Sequence, residues 1–435
     1  MKKIKKEMII IGGGISGLYL LYKYISKFPN KKKDVCLFEK TNRFGGRIKT
    51  FHTQIQHMEY QMEEGAGRFN QNHTLLLQLL KELHLEKDIQ KIGSQIDFED
   101  EKNEFSSFKN PNDYIHKVID YYHKHPHSSL QNQTFISYAK KYHILTPKEI
   151  YYLKSSYGYS SELNDTNAEY ALKIFEKDFS SRNQFYGLKH GLESIPKTLV
   201  SVLKKKKCLL YKNANVLYQI SYDKVNKTYS LCVVFQKKNK KIKKYYECKT
   251  LIFALPKPVL AKFTILKPIH SLLSKSNCVS LIRYYYIYPI QNHQPSWFHH
   301  IGKTTFHNKI RYMIPIDSSK GIIMISYTDG KHAKEISNMH KKKILDTYIQ
   351  KKIKKIYGKN MDIKKPIYKK YCEWKCGVGL WRRGNYSYKE ISKKIIHPYP
   401  NQSLYICGEN YSLNQGWIEG ALETSEGVLK WLIQS

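Results

Sequence analysis

The chain has 435 residues, 41% of them hydrophobic, more than one small core requires, so two or more structural units are expected. Lys and Arg total 74 against 36 Asp and Glu, a formal net charge of +38, yet only eight of the basic residues are Arg. That Lys bias argues against a surface that reads bases or phosphates through the Arg fork; the excess reads as a solvated Lys-rich surface, with no specific nucleic-acid site and non-specific polyanion binding as its expected consequence.

The amino terminus, MKKIKKEMIIIGGGISGLYLL, has the basic-then-apolar form of a leader, but three consecutive glycines interrupt it and a helical pattern follows. It is read as folded structure. Glu7–Ile11 predicts a short buried strand, Ser16–Phe28 a helix and Asp34–Glu39 a second strand of the parallel type, together a βαβ unit. From His73 to about Arg182 a mostly helical insertion is expected, opened by TLLLQLLKELHL. Strand signals return near Tyr186. CLLYKNANVLYQI, YSLCVVFQ and YYECKTLIFAL predict an antiparallel meander, with the run Lys237–Lys244 as a solvated hairpin tip. Val279–Asp329 is again β-rich, HAKEISNMHKKKILDTYIQKKIKKIYG reads as a helix, and the end returns to a strand (SLYICGEN) and a helix (GALETSEGVLKWLIQ). No run of 18 apolar residues occurs, so neither a spanning helix nor a membrane anchor is expected.

The eight cysteines are scattered, several inside apolar runs where Cys packs as a small hydrophobe. Cys372 and Cys376 could form a redox pair, but unpaired structural thiols in a reducing, cytoplasmic setting fit better. His116, His123, His125 and His127 crowd one segment without metal-ligand spacing, so a solvated segment and no metal site are expected. No Ser or Cys nucleophile with a partner is evident.

Gly12-Gly13-Gly14-Ile15-Ser16-Gly17 matches G-x-G-x-x-G. The pattern alone is permissive; directly after a buried strand and opening a helix, it carries a mechanism. Gly12 allows the tight turn, Gly14 lets a pyrophosphate approach, Gly17 lets helix pack on strand, and the helix N-terminus at Ile15 and Ser16 favours the anion. Glu39, 22 residues past Gly17, with Lys40 beside it, ends the second strand where a carboxylate accepts ribose hydroxyls. NAD and FAD both use this device.

A second motif decides between them. Arg43-Phe44-Gly45-Gly46-Arg47 follows Glu39, and Glu64-Gly65-Ala66-Gly67-Arg68 comes next. With Gly191-Leu192-Glu193-Ser194-Ile195-Pro196, Leu251-Ile252-Phe253-Ala254-Leu255-Pro256, and the terminal Leu404-Tyr405-Ile406-Cys407-Gly408-Glu409 and Gly416-Trp417-Ile418-Glu419-Gly420-Ala421, the chain resembles the flavin-containing amine oxidase superfamily, which includes monoamine and polyamine oxidases, L-amino-acid oxidases and protoporphyrinogen oxidase. His190 stands where the family's first Gly of G-G-x-x-x-L-P is usual. The resemblance implies non-covalent FAD, lined by Arg43, Gly45, Gly46, Arg47, Gly65, Ala66, Gly67 and Arg68, with Val216 at the adenine, Gly408 and Glu409 at the ribitol, and Gly416, Trp417 and Ile418 at the pyrimidine edge. Two Arg near a diphosphate and two Gly allowing close approach are chemically consistent with that.

It also implies two aromatic residues before the flavin, Trp417 and Trp381, and a basic residue near N5 for which Arg283 stands in place of the usual Lys, with Lys275 as the alternative. An Arg cannot act as a base at neutral pH, but it can order a water or bind a substrate carboxylate. Leu380 stands where monoamine oxidases carry the Cys that binds flavin covalently. The expected fold class is α/β (α+β): a Rossmann-like FAD/NAD(P)-binding domain from 1–72, 186–264 and 398–435, interleaved with a substrate domain of mixed β-sheet and helices from 73–185 and 265–397. The expected function is oxidation of an amine C–N bond by hydride transfer to FAD, with molecular oxygen as acceptor. Alternatives are an FAD-dependent dehydrogenase or isomerase of a porphyrinogen, polyene or sugar nucleotide, and, from another class, a flavoprotein kept as a basic binding or structural component.

Overall fold

In the computed structural model, which describes residues 2–434 apart from 94–95, 100–103, 109, 127–129, 178–182, 238–239, 291–293 and 360, the apolar half of IKKEMIII is the centre of the molecule. This strand, Ile4–Ile11, runs from exposed to fully buried along its length. It pairs in parallel with Val35–Phe38 on one side (Ile10 opposite Leu37) and with the end of Lys240–Phe253 on the other (Ile10 opposite Ile252). Three neighbouring buried strands read as unbroken apolar runs because both faces of the sheet are covered. One face packs on helices Ile15–Lys27, Thr74–Glu82, Ser194–Lys205 and Ile418–Gln434 through Leu18, Leu79, Leu199 and Leu422; the other packs on Tyr229, Phe263, Leu380 and Tyr411.

The sheet has eight strands in the order Ala214–Val216, Thr228–Lys237, Lys240–Phe253, Ile4–Ile11, Val35–Phe38, Leu209–Tyr211, with Ser221–Asp223 and Leu404–Ile406 as side branches. The expected meander is therefore only partly present. Thr228–Lys237 and Lys240–Phe253 do form an antiparallel hairpin out to Lys237 opposite Lys240, its tip (238–239) lying outside the described residues. Leu209–Tyr211 instead crosses to the far edge and pairs in parallel with Val35–Phe38. Its three residues are too short to carry a directional signal in the sequence.

A second sheet of six strands holds Tyr368–Trp381, Ser276–Ile287, Ile322–Asp329, Tyr312–Asp317, Lys303–Phe306 and Ile96–Glu99, antiparallel except for the last pair. Ile96–Glu99 comes from the stretch expected to be helical, as does Ile89–Ile92, which pairs with Phe185–Leu188. The described remainder of that stretch carries separate helices between Pro111 and Lys177, the first starting on an Asn110 cap and a later one carrying a Thr146–Glu149 capping box. The Lys-rich segment expected as one helix is two, Gly330–Lys341 and Leu345–Tyr357, broken where Lys343 takes a positive φ of 57°. His116 and His123 lie on helix Pro111–Lys124, with His125 just past its end; His127 lies outside the described residues. Among the described residues, no cluster of three His, Cys, Asp or Glu is placed to hold a metal ion, and no helix is long and apolar enough to cross a membrane.

The two ends of the chain meet. Ser425 on the last helix donates to the carbonyl of Ser16 on the first at 3.1 Å, and Tyr19 donates to Glu426 at 2.5 Å.

Candidate active site

The glycine loop is shaped by close contacts that leave one position open. Gly12 has φ +114°, and a Cβ there would lie 2.2 Å from the carbonyl oxygen of Ala254. A Cβ on Gly17 would lie 2.1 Å from the Gly12 oxygen. On Gly14 it would meet nothing nearer than Gly46 Cα at 3.9 Å, and Gly14 lines a cavity of ≈ 990 Å³. Gly12 and Gly17 are thus needed by the fold, while Gly14 gives room for something in the cavity.

The loop 39–47 is laced onto this turn. Glu39 accepts from the amides of Gly13 and Thr41, each at 2.8 Å, and still lines the cavity with Lys40. The Gly45 amide donates to Gly13 at 2.8 Å. Gly45 and Gly46 take φ of +109° and +58°, and Arg43 holds the loop by donating to the carbonyls of Gly46 and Ile48. Arg43 lines the cavity but gives three hydrogen bonds to its own loop, so its observed task is to fold the loop as well as to face an anion. Gly65 cannot carry a side chain, since its Cβ would fall 1.8 Å from the Arg47 carbonyl.

Arg47 closes the cradle. Its Nη1 lies 2.7 Å from Glu409 and donates to the Gly377 carbonyl at 2.9 Å, while the other carboxylate oxygen of Glu409 accepts from Gly379 (2.5 Å) and Gly416 (2.7 Å). Glu409 is 5% exposed in its side chain and Arg47 28%. Breaking a buried pair strands the remaining charge. Glu409→Gln is therefore expected to lower stability by about 2–3 kcal/mol, read as a fall in Tm, with weaker cofactor retention. An unchanged Tm would contradict this role.

Ile11, Ile15, Ser16, Ala66, Gly67, Arg68, Val216, Gly408, Trp417 and Ile418 also line the cavity, so the expected cofactor residues are brought to its walls, except Gly17, which packs against the Gly12 carbonyl behind the loop. A cavity with a helix N-terminus, backbone amides and a side-chain-free Gly14–Gly46 approach suits a dinucleotide diphosphate.

Beyond the cradle the wall becomes cationic and aromatic. Arg283 is 7% exposed. It donates to the Glu63 carbonyl at 3.2 Å, and its guanidinium carbon stands 4.8 Å from the Tyr327 ring centroid. It abuts Gly67, where a Cβ would lie 2.5 Å from Nη1. Arg68 stacks over Phe185 at 4.1 Å and donates to the Tyr159 hydroxyl at 3.4 Å. Among the described residues neither guanidinium is ion-paired. Lys303, whose ammonium is pushed down to about 8 by burial and then by Arg68, feels the field of that guanidinium. Glu162 and Asp329 also line the cavity, and both carboxyls are raised, first of all by burial, with Asp329 adding to the rise at Glu162 and bonds from Ser160 and Ser161 opposing it at Asp329. Glu63 behind the wall is raised to about 7 by burial, against its bonds from Leu192 and Thr50.

Trp417 lines the cavity 4.6 Å from His73 and parallel to Phe185 at 6.3 Å; burial holds His73 down at about 3, so that ring is neutral. Trp381 is placed otherwise. It is fully buried, donates to the Ser412 carbonyl at 3.1 Å and packs on Tyr388 and Tyr411, away from the cavity. Strand alternation explains this: Trp374, Cys376, Val378 and Leu380 face the cavity, so Trp381 points to the opposite face. The lining indole is Trp374, which donates to the Glu64 carbonyl at 2.7 Å. Lys275 lies against Tyr386, outside the cavity lining.

The model of one protein family, described as flavin-containing amine oxidoreductase, matches residues 29–427. The chain belongs to that family. This match supports FAD as the group for which the cradle is built. Curated relatives match only locally: a coproporphyrinogen III oxidase of Staphylococcus aureus (strain NCTC 8325 / PS 47) is 36% identical over 84 residues, 19% of this chain and 17% of that protein. Achacin of Lissachatina fulica is 38% identical over 81 residues, 18% of this chain and 14% of that protein. The chain thus spans less than a fifth of the length of either. Two solved structures are each covered over their full length, as is this chain: a putative protoporphyrinogen oxidase from Exiguobacterium sp. 255-15 (TM-score 0.68, 15% identity) and a putrescine oxidase redesigned in its cofactor binding (TM-score 0.72, 13% identity). At those identities the likeness is one of fold.

Proposed function

We propose that this family member oxidises the C–N bond of a small amine that also carries a carboxylate, with molecular oxygen as final acceptor. The bound FAD supplies the hydride acceptor. The observation that carries the substrate class is the pair Arg68 and Arg283, one partly and one almost fully buried, lining the cavity without an ion pair to any carboxylate among the described residues. A desolvated guanidinium favours an anion strongly and repels an ammonium that brings no anion with it. Arg283 then anchors the carboxylate; permanently protonated, it takes no proton from the substrate. Trp417 and Trp374 flank the reacting carbon and exclude water. Gly12, Gly14, Glu39, Arg47, Val216 and Glu409 hold the cofactor, in a cofactor domain built from 1–72, 186–264 and 398–435 against a substrate domain from 73–185 and 265–397.

A second reading, a porphyrinogen or other non-amine acid, is favoured by the relatives, one of which is named for a coproporphyrinogen. A peroxide-release screen over monoamines, polyamines, L-amino acids and a porphyrinogen separates the two. Peroxide with L-amino acids and none with monoamines is the expected result. Silence with every amine, in a protein whose flavin is bound and reducible, would overturn the amine assignment.

A further inference from the structure

Two cysteines that were expected to be unpaired, or to involve Cys372, are joined differently. Cys376 is bonded to Cys278 on the neighbouring strand, with Cα atoms 5.0 Å apart, while the other six cysteines are free. Strands Ser276–Ile287 and Tyr368–Trp381 are antiparallel, and their register breaks at this point. Val279 faces Val378 and Leu281 faces Trp374, so Ser280 alone opposes Lys375, Cys376 and Gly377. The bulge interrupts the ladder of backbone hydrogen bonds beside Cys376, which lines the cavity. The disulfide closes the gap that the ladder leaves.

The residues it fixes belong to the cofactor cradle. Gly377, next in the chain, accepts from Arg47 at 2.9 Å, and Gly379 donates to Glu409 at 2.5 Å. Asn410, adjacent to Glu409, points its side-chain nitrogen at both sulfurs, 3.7 Å from Cys278 and 4.0 Å from Cys376, and its oxygen accepts from the Lys257 amide. The sulfur pair is therefore in contact with the wall that holds the two chain ends together. Both cysteines are only half-buried, and Cys376 is reached through the cavity. In a chain with six other free thiols, a lone half-buried pair spanning a bulge has the setting of an exchangeable bond rather than of a structural staple.

We propose that Cys278 and Cys376 form a reversible thiol–disulfide site whose reduction loosens the FAD cradle, an inference that rests on the FAD reading for its second half. A dithiol reductant breaks the S–S bond. Its two electrons and two protons pass to the two sulfurs, giving two thiols, and the reductant closes its own disulfide. The bulge is then free to open, and Gly377 and Gly379 release part of their hold on Arg47 and Glu409.

The test uses the purified holoprotein, alkylated with iodoacetamide in air and after equilibration with mixtures of reduced and oxidised dithiothreitol, then mapped by mass spectrometry. In air Cys278 and Cys376 should stay unlabelled and linked; across the mixtures both should become labelled together in one two-electron transition. FAD recovered in the ultrafiltrate should appear about tenfold faster from the reduced protein, the effect of losing one or two hydrogen bonds. Cys278→Ser should release FAD at the faster rate whatever the dithiothreitol ratio. Full labelling of both cysteines in air, or equal FAD release from the two redox states of the wild-type protein, would overturn the proposal. A titrating pair in a protein that never held FAD would instead refute the FAD reading and keep the thiol site.

Discussion

Gly14→Ala is expected to give a folded protein that loses FAD on desalting. Gly14 has φ −72° and ψ −179°, a backbone that alanine adopts freely, and the added methyl touches only Gly46 Cα at 3.9 Å. The fold should therefore keep its stability to within about 0.5 kcal/mol. The methyl would stand in the cavity between the two glycine loops, at the helix N-terminus where an anion must approach closely. Affinity for FAD should fall by about 10²-fold or more, equivalent to about 3 kcal/mol. Gly12→Ala is the contrasting control. Its φ of +114° and the 2.2 Å approach to Ala254 should cost about 3 kcal/mol or more of folding stability itself. Isothermal titration with FAD and thermal unfolding of the apoproteins separate the two effects. A Gly14→Ala protein that binds FAD as tightly as the parent would show that the cavity is not used as a diphosphate cradle.

Arg283→Met is expected to have the largest effect on turnover with little effect on folding. The guanidinium is 7% exposed, donates to the Glu63 carbonyl and lies against Tyr285 and Tyr327, with no ion pair among the described residues and Nε left without a partner. Replacing an unpaired buried charge by an apolar chain of similar length is neutral or stabilising by about 1–3 kcal/mol. For a carboxylate-bearing amine, kcat/KM should fall by about 10²–10³-fold, since a desolvated charge-assisted pair is lost. For the matching amine without the carboxylate, kcat/KM should be unchanged or rise. Steady-state kinetics on the two substrates beside a melting curve read all three outcomes. Equal losses on both substrates would assign Arg283 to architecture instead.

The cofactor half of the site was legible in the sequence because its demands are local. Gly12, Gly14 and Gly17 sit at fixed offsets between a buried strand and a helix, and Arg43–Arg47 follows at the end of the next strand. These spacings survive whatever the rest of the chain does. The closing contact between Arg47 and Glu409 joins residues 362 apart, and only the resemblance to a family could bring them together in advance. The substrate half depends on register, which a sequence does not print. Strand alternation turns Trp374 and Cys376 toward the cavity and Trp381 away from it, and the bulge between Val279 and Leu281 sets which residues lie opposite them. Likewise, that neither Arg68 nor Arg283 is ion-paired among the described residues follows from what surrounds them in space, not from either residue's neighbours in the chain. The short strands Leu209–Tyr211 and Ile96–Glu99 took edge positions for which three or four residues carry too weak a periodicity to be read.

The central claim is that both ends of the chain build one FAD cradle that holds the cofactor without a covalent bond. The measurement that tests it most directly is the absorbance spectrum of the purified protein, before and after denaturation in acid followed by filtration. A yellow protein carrying about one FAD per chain, all of it recovered in the filtrate, is the predicted result. A colourless protein that takes up no FAD, or flavin that stays on the precipitated chain, would contradict it.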